Sequence, residues 1–357
     1  MKGPLTDRVH FIMGDIESEG DLRAAIQVSS CNCVINLAGV YAWWLPDPSL
    51  FHRVNTNGVR NLLQAVSAFG NQVEQLVHIS TVLAYGRPTG RGLSEATAFD
   101  EDCMPGPTTS LYAASKQAGD ALVRAALASR HIAGCICYLA CCIGADHKLL
   151  DPKRDVMRIS ELISGQLPAK IASDTVFTYV YVRDAAEAIV RASERRHQRG
   201  NFEVSAAVGA AAATHMAVDG SVGRGSAAWS SSCLLVGEGR LATSEYYNLI
   251  ASVSGTPRPT REVPAWLAVL GSGMLTMCAT YVTGRQPTAP LDLVRTATSG
   301  TLLFDASRST ARLGMKYTPI RVAFAEAIDF ITEATTGSNS VASQAEEREG
   351  LIEQERT

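Results

Sequence analysis

Two stretches of this chain restrict its fold more than any others. Gln75-Leu76-Val77-His78-Ile79 is a short, mostly apolar run that reads as a buried strand, and it ends in Ser80-Thr81 ahead of a loop. Downstream, Ser110-Leu111-Tyr112-Ala113-Ala114-Ser115-Lys116 leads into an Ala-rich segment, Ala113 to Ala128, whose composition predicts a helix. A buried strand, a loop and a helix in that order form the unit of open α/β sheets, where ligands bind at the carboxyl ends of the strands. Ser80 and Thr81 stand at such an end. Tyr112 and Lys116 are four apart, so both side chains leave one face of one helix. A free tyrosine titrates near ~10, but an adjacent ammonium favours the phenolate and brings proton transfer into range. The predicted chemistry is proton exchange with a substrate oxygen that a strand-end hydroxyl also holds. With ten tyrosines and six lysines in the chain, the spacing alone is a weak signal, and a structural Ser-Thr pair beside a helical tyrosine is the alternative.

Other segments repeat the alternation. Val9 to Met13, Cys33 to Leu37, Gly134 to Leu139, Phe177 to Val182 and Asn201 to Val204 are strand-like; Asp21 to Val28, Phe51 to Phe69, Asp184 to Glu194, Glu245 to Ser254 and Phe324 to Ile331 are helix-like. At 357 residues, 46% hydrophobic and 19% charged, the chain can bury a large core and build a second lobe. A net charge of -3 argues against nucleic acid, and Arg195-Arg196-His197-Gln198-Arg199 reads as a solvated helix end. Cys31, Cys33, Cys135, Cys137, Cys141 and Cys142, six of nine cysteines, fall in or beside predicted strands without metal-site spacing to histidine. This predicts a reduced cytoplasmic protein with no metal. Residues 205–232 are Ala/Gly/Ser-rich and predict a disordered insertion, as does the tail, 335–357. Val263 to Gly284 carries no charge and is long enough to consider a membrane span, but Pro264, Gly271, Gly273 and its threonines dilute it. A buried helix of the second lobe is the expectation, and membrane association through 263–284 the alternative. The predicted layout is 1–204 for a nucleotide-binding domain, with 145–176 contributing to a second lobe, then the insertion, then 233–334 for that lobe.

Several blocks occur in an ordered series: Gly14-Asp15-Ile16, Val34-Ile35-Asn36-Leu37-Ala38-Gly39, Val54-Asn55-Thr56-Asn57-Gly58-Val59-Arg60-Asn61, the Ser80-Thr81 strand end, Tyr112 to Lys116, Tyr179-Val180-Tyr181-Val182-Arg183-Asp184, Phe304-Asp305-Ala306-Ser307-Arg308 and Leu313-Gly314-Met315-Lys316-Tyr317. With these the chain resembles the extended short-chain dehydrogenases/reductases of the NAD-dependent epimerase/dehydratase superfamily, nearest the branch of dihydroflavonol reductase-like enzymes and 3β-hydroxysteroid dehydrogenases. The resemblance implies an α/β fold, a Rossmann-like doubly wound parallel sheet with a smaller C-terminal substrate lobe, and NAD or NADP as cofactor. It implies Tyr112 as acid/base, Lys116 lowering its pKa and holding the nicotinamide ribose, and Thr81, aligned on Tyr85-Gly86, orienting the substrate oxygen with Ser80 in support. Asp15 and Ile16 would flank the adenine, although Asp15 reads equally as a turn residue capping the next helix. Leu37, Ala38 and Gly39 would let the backbone approach the cofactor closely. Asn55 would position a water or the catalytic backbone, its alternative being the wet side of its helix. Tyr41 to Pro46 is an aromatic loop expected to pack between lobes, or else to line a substrate pocket. Asp184 would pin the second lobe to the first and cap a helix. His147 is expected to be an ordinary loop residue, in a turn where relatives carry a proline that this chain lacks.

One family block is missing. No glycine-rich turn of the G-x-x-G-x-x-G type precedes Val9 to Met13, so the expected sheet is N-terminally truncated, lacking two strands and a helix. Three functions follow from the sequence. One is an NAD(P)-dependent oxidoreductase on a secondary alcohol or ketone; another is a nucleotide-sugar epimerase or dehydratase; the third is a cofactor-poor binding module. The partner is a small hydroxy or keto compound, steroid-, flavonoid- or sugar-like, and the resemblance allows a homodimer.

Overall fold

A computed structural model describes residues 9–86, 98–103, 105–129, 132–146, 159–165, 169–172, 174–194, 232–237 and 239–333. The expectations for Asn201 to Val204, His147, residues 205–231 and the tail lie outside the described residues. The first helix, Glu19–Ser29 (α1), begins where the Ser18 hydroxyl accepts from the Asp21 N–H at 3.2 Å. Cys33–Asn36 is β1. Ser49–His52 (α2) passes through a π turn, Arg53–Gly58, into Val59–Ala68 (α3), which buries Val59, Leu62, Ala65 and Val66 at helical spacing. Gln75–Thr81 (β2) is buried along all but its last residue. Leu111–Ala128 (α4) starts at Ser110, whose hydroxyl accepts from the Ala113 N–H at 3.1 Å. Gly134–Leu139 (β3), Cys141–Ile143 (β4), Ile159–Ile163 (α5), Lys170–Ile171 (β5), Val176–Tyr181 (β6) and Val182–Glu194 (α6) follow. Ser232–Leu235 (β7), Gly239–Ala242 (β8), Thr243–Ser254 (α7), Glu262–Val263 (β9), Ala265–Cys278 (α8), Leu291–Thr298 (α9), Ser307–Leu313 (α10) and a last helix over 320–333 complete the described chain.

The central sheet runs in the order β1-β2-β3-β7 with every pair parallel. Period-two alternation sends its side chains to two separate cores. Leu76, Ile136, Tyr138 and Leu234 pack with Ile26, Leu62, Val66 and Val123 on one face. Val77, Ile79, Cys135, Cys137, Cys233 and Leu235 pack with Ala188, Ile189, Ala192 and Leu313 on the other. Helices therefore cover both faces, as an all-parallel sheet requires. A second sheet, β4-β6-β8, pairs β4 with β6 in parallel and β6 with β8 antiparallel. It carries a third core, Tyr179, Tyr246, Ile250 and Phe324 among others, that joins α7 to the 320–333 helix.

The structure departs from the sequence expectations in four places. Val9 to Met13 is not a strand: it pairs with no described strand, and Phe11 and Met13 are 93% and 95% exposed. An apolar run becomes a strand only where a neighbour takes its backbone hydrogen bonds. Ser232–Leu235 lies in the central sheet beside β3, so residues 233–235 belong to the first lobe and not to the second. The helix expected over Phe51 to Phe69 is interrupted by its π turn. Finally, the helix expected to be buried in the second lobe, Ala265–Thr283, is only 11% buried. It meets the body through small residues such as Ser272 and Ala279, while Trp266, Leu270, Met274 and Tyr281 face outward.

Candidate active site

Tyr112 stands on the first turn of α4, and Thr81, at the carboxyl end of β2, is the side chain that favours its phenolate. Both residues line a cavity of about 620 Å³ that opens between the central sheet and the C-terminal lobe. Tyr41, Trp43, Tyr179, Tyr246, Val263, Leu293 and Val294 enclose it further. Thr81 and Ser80 point to opposite sides of β2, as consecutive strand residues must. The Thr81 hydroxyl also accepts from the Leu83 N–H at 3.3 Å. The Ser80 hydroxyl instead donates to Asp120 at 2.7 Å, inside the protein. Tyr41 meets the Tyr112 ring edge-on at 4.9 Å between centroids and 71° between planes. The aromatic loop is thus divided: Tyr41 and Trp43 line the cavity, whereas Trp44 packs outward and donates from Nε1 to Thr280 at 3.2 Å.

Lys116 lies one turn along α4 from Tyr112, 6% exposed, and donates to the Ile79 carbonyl at 2.7 Å. The surroundings of Tyr112 run against an acidic phenol. Burial holds the Tyr112 phenol well above its ordinary range, the Asp120 charge adds to this, and only the Thr81 hydrogen bond opposes them. Burial likewise lowers Lys116, with Asp120 working the other way. Burial thus keeps Tyr112 as the protonated acid. Cys142 also lines the cavity, but burial pushes its thiol up to about 12, so it offers no thiolate.

On the sheet side, Leu37, Ala38 and Gly39 follow β1 as exposed backbone. A Cβ at Gly39 would stand 3.9 Å from Lys116 Nζ and 3.3 Å from Asn55 Oδ1, so glycine keeps open the space above the lysine. Asn55 does not lie on a wet face; it is 1% exposed within the π turn. Its Oδ1 accepts from the Val40 N–H at 2.8 Å, and its Nδ2 donates to the Val40 carbonyl at 3.0 Å and to Ser115 Oγ at 2.9 Å. One side chain thereby ties the loop after β1 to the helix that carries Tyr112 and Lys116. Asp15 is exposed and accepts from the Glu17 N–H at 2.9 Å in a local turn, while Ser18 caps α1. Ile16 seats against Gly58, where a Cβ would come within 3.0 Å of it.

Sequence reasoning missed the polar network beneath these residues. Asn36 Nδ2 lies 3.0 Å from His78 Nδ1, and Asn36 Oδ1 accepts from the Ala38 N–H at 3.1 Å. Because an amide nitrogen only donates, His78 Nδ1 is the acceptor and the imidazole proton sits on Nε2. Nε2 lies 3.2 Å from Asp120 Oδ1, near it but off line for a good hydrogen bond. Both side chains are 1% exposed. Burial lowers the His78 pKa, against the pull of Asp120. The series Asp120, His78, Asn36, Ala38 runs from α4 to the loop after β1. A signal was present: Asp120 repeats the four-residue step from Tyr112 through Lys116, placing a carboxylate on the buried stripe of an otherwise Ala-rich helix. Cys135, Cys137 and Cys233 also converge, their sulfurs within 4.8 Å of one another, on the opposite face of the sheet. Hydrogen bonding to Cys135 and Cys233, together with burial, holds the Cys137 thiol far above its ordinary range.

Comparison with known proteins shows what the chain resembles. A Synechocystis protein bearing the provisional name dihydroflavonol 4-reductase is 23% identical over 331 residues, covering 90% of this chain and 81% of that protein. Among solved structures, gox2253 superposes with a TM-score of 0.65 at 20% identity, covering 90% of this chain and 84% of its own. The Thermus thermophilus UDP-glucose 4-epimerase, crystallised with NAD, superposes at 0.62 and 18% identity, covering 92% and 86%. These likenesses establish a shared Rossmann-like fold. Residues 2–205, which contain Thr81, Tyr112 and Lys116, match the family model, and the chain belongs to the NAD dependent epimerase/dehydratase family.

Proposed function

We propose that this protein is an oxidoreductase that interconverts an apolar secondary alcohol and its ketone with NAD or NADP. The lining of the cavity carries the reading. Among the described residues around its 620 Å³ there is no Asp, Glu, Lys, Arg or His. A nucleotide sugar brings a doubly charged pyrophosphate, which needs cationic partners once it leaves water. An epimerase or dehydratase acting on such a substrate is the other chemistry natural to the family, and this lining does not suit it. A hydroxy or keto compound of steroid or flavonoid character suits both the volume and the aromatic walls.

The residues present suit a nicotinamide nucleotide above the carboxyl end of β1. Ala38 and Gly39 leave its approach open, Lys116 is in reach of ribose hydroxyls, and Asp15 and Ile16 stand toward the adenine in this reading. When bound, the nicotinamide supplies or accepts the hydride. The protonated Tyr112 phenol gives its proton to the substrate carbonyl oxygen, and the Thr81 hydroxyl hydrogen-bonds the same oxygen to hold it there. The Lys116 ammonium stabilises the phenolate left behind. Ser80, bonded to Asp120, supports Thr81 from behind. Tyr41 and Trp43 keep water from the reacting oxygen. None of the nine cysteines is in a disulfide, which supports a reducing, cytoplasmic setting.

The test is NADH and NADPH oxidation by the purified chain against ketones of increasing apolar size, run beside UDP-glucose/UDP-galactose interconversion. Ketone-dependent turnover that rises with apolar size is expected. Sugar-nucleotide interconversion without net oxidation would replace this reading by the epimerase. A chain that titrates with neither cofactor would be a binding module instead.

A further inference from the structure

Ala265–Thr283, which is α8 with the π turn that continues it, is wound inside out for a helix in water. Ser272 and Ala279 are buried, and the Thr276 hydroxyl accepts from the Leu291 N–H at 2.9 Å. Trp266, Leu270, Met274, Met277, Tyr281 and Val282 are all 56–81% exposed. A surface helix of a water-soluble protein turns its large apolar side chains inward. At about 100° per residue these six spread over roughly 160° of the helix circumference, wider than the ~100° stripe that one packed neighbour covers. No Asp, Glu, Lys, Arg or His occurs between residues 263 and 284 to set a register with a protein partner. The 19 residues have a mean hydropathy of 1.5. They span about 28 Å at 1.5 Å per residue, close to the ~30 Å of a bilayer's hydrocarbon core. Trp266 lies near one end and Tyr281 near the other, with exposed Arg261 before and Arg285 after.

We propose that α8 docks the protein on a lipid bilayer. The helix lies along the membrane and does not cross it, because the body holds it from the side at two points: Thr276 to Leu291, and Trp44 to Thr280. Its outward arc enters the boundary between acyl chains and headgroups, and Arg261 and Arg285 meet anionic headgroups. The same face leads toward the cavity. α9 packs on α8 and contributes Leu293, Val294 and Ala297 to the lining, and Val263, just ahead of α8, lines it too. An apolar substrate dissolved in the bilayer therefore has a short apolar path to Tyr112; this second part rests on the oxidoreductase reading, whereas docking does not.

Flotation of the full chain with phosphatidylcholine vesicles, with and without phosphatidylserine, tests the docking without any assay of turnover. Wild type is expected to float with both, more strongly with phosphatidylserine. The triple variant Trp266→Ser/Leu270→Ser/Met274→Ser should lose at least tenfold in vesicle partition at an unchanged circular dichroism spectrum. Arg261→Glu/Arg285→Glu should weaken binding at least tenfold on phosphatidylserine vesicles and leave it unchanged on phosphatidylcholine alone. Wild type that stays in the aqueous fraction overturns the proposal. So does a triple variant that floats as well as wild type, or a wild-type dimer that the triple variant converts to monomer. Retained turnover of a water-soluble ketone by a variant that no longer floats would separate docking from catalysis.

Discussion

At Tyr112 burial and the Asp120 charge both raise the phenol, with only Thr81 working against them. A phenol held as an acid is suited to protonating a carbonyl, the step that the proposed ketone reduction asks of it. Tyr112→Phe keeps the edge-on contact with Tyr41 and removes only the hydroxyl. Ketone reduction should fall by about 10²–10⁴-fold with an unchanged melting temperature; a loss below threefold would take the proton from another group. His78 makes a prediction of the opposite kind, about stability. Burial lowers its folded-state pKa, so below the unfolded value of ~6.5 the unfolded chain binds a proton that the folded chain refuses. The folded state therefore loses stability as pH falls below that value, by up to about 1.4 kcal/mol per pH unit from this one group. Urea unfolding of wild type and His78→Asn at several pH values between 5 and 7 checks this. The wild-type stability should fall more steeply toward acid, and parallel slopes would mean that the imidazole is charged when folded.

At the scale of elements, the site depends on how closely α4 approaches the π turn of Arg53–Gly58. Gly119 makes that approach: a Cβ there would lie 2.3 Å from the Asn55 carbonyl oxygen. Asn55 and Thr56 then bond Ser115 across the same contact. Gly119→Ala gains about 1 kcal/mol of helix propensity but must push two backbones apart, which costs about 1–3 kcal/mol in a packed core. The net expectation is a lower melting temperature. Ketone reduction should also fall, because α4 carries Tyr112 and Lys116 and would shift relative to Thr81. A variant that melts at or above wild type would show slack between the two elements. The π turn itself was not legible. Its residues keep a helical apolar period, and the extra residue per turn shows only in where Asn55 ends up.

Across the whole molecule, what could be read from sequence was what burial writes into residue type. β2 and β3 are covered on both faces and so appear as mostly apolar runs, and the Tyr112-Lys116 stripe follows from helical spacing alone. Val9 to Met13 carries the same apolar signature without being a strand, because such a run records a wish to be covered and not which neighbour covers it. The apolarity of Ala265–Thr283 misled in the same way. The His78-Asp120 contact joins residues from two elements, and only its Asp120 half leaves a local pattern. Asp184 shows the same limit and its remedy. The sequence placed it at a helix cap, but α6 begins at Val182, and the carboxylate reaches instead across the molecule, accepting from the Thr318 N–H at 2.6 Å and the Thr318 hydroxyl at 3.0 Å. Thr318 leads directly into the 320–333 helix, whose Phe324 packs on Tyr179 and Tyr246 in the core of the second sheet. Two charge-assisted bonds to a carboxylate 7% exposed thus fasten the C-terminal helix to the first lobe. Asp184→Ala strips both donors of their partner and should destabilise the fold by about 2–4 kcal/mol. The loss should be local before it is global. Amide exchange in the 320–333 helix is expected to speed up well before that of β2 and β3, whose hydrogen bonds the substitution leaves intact. Uniform acceleration across all three would mean that the two lobes unfold as one unit, with Asp184 a point of packing and not a clasp between them.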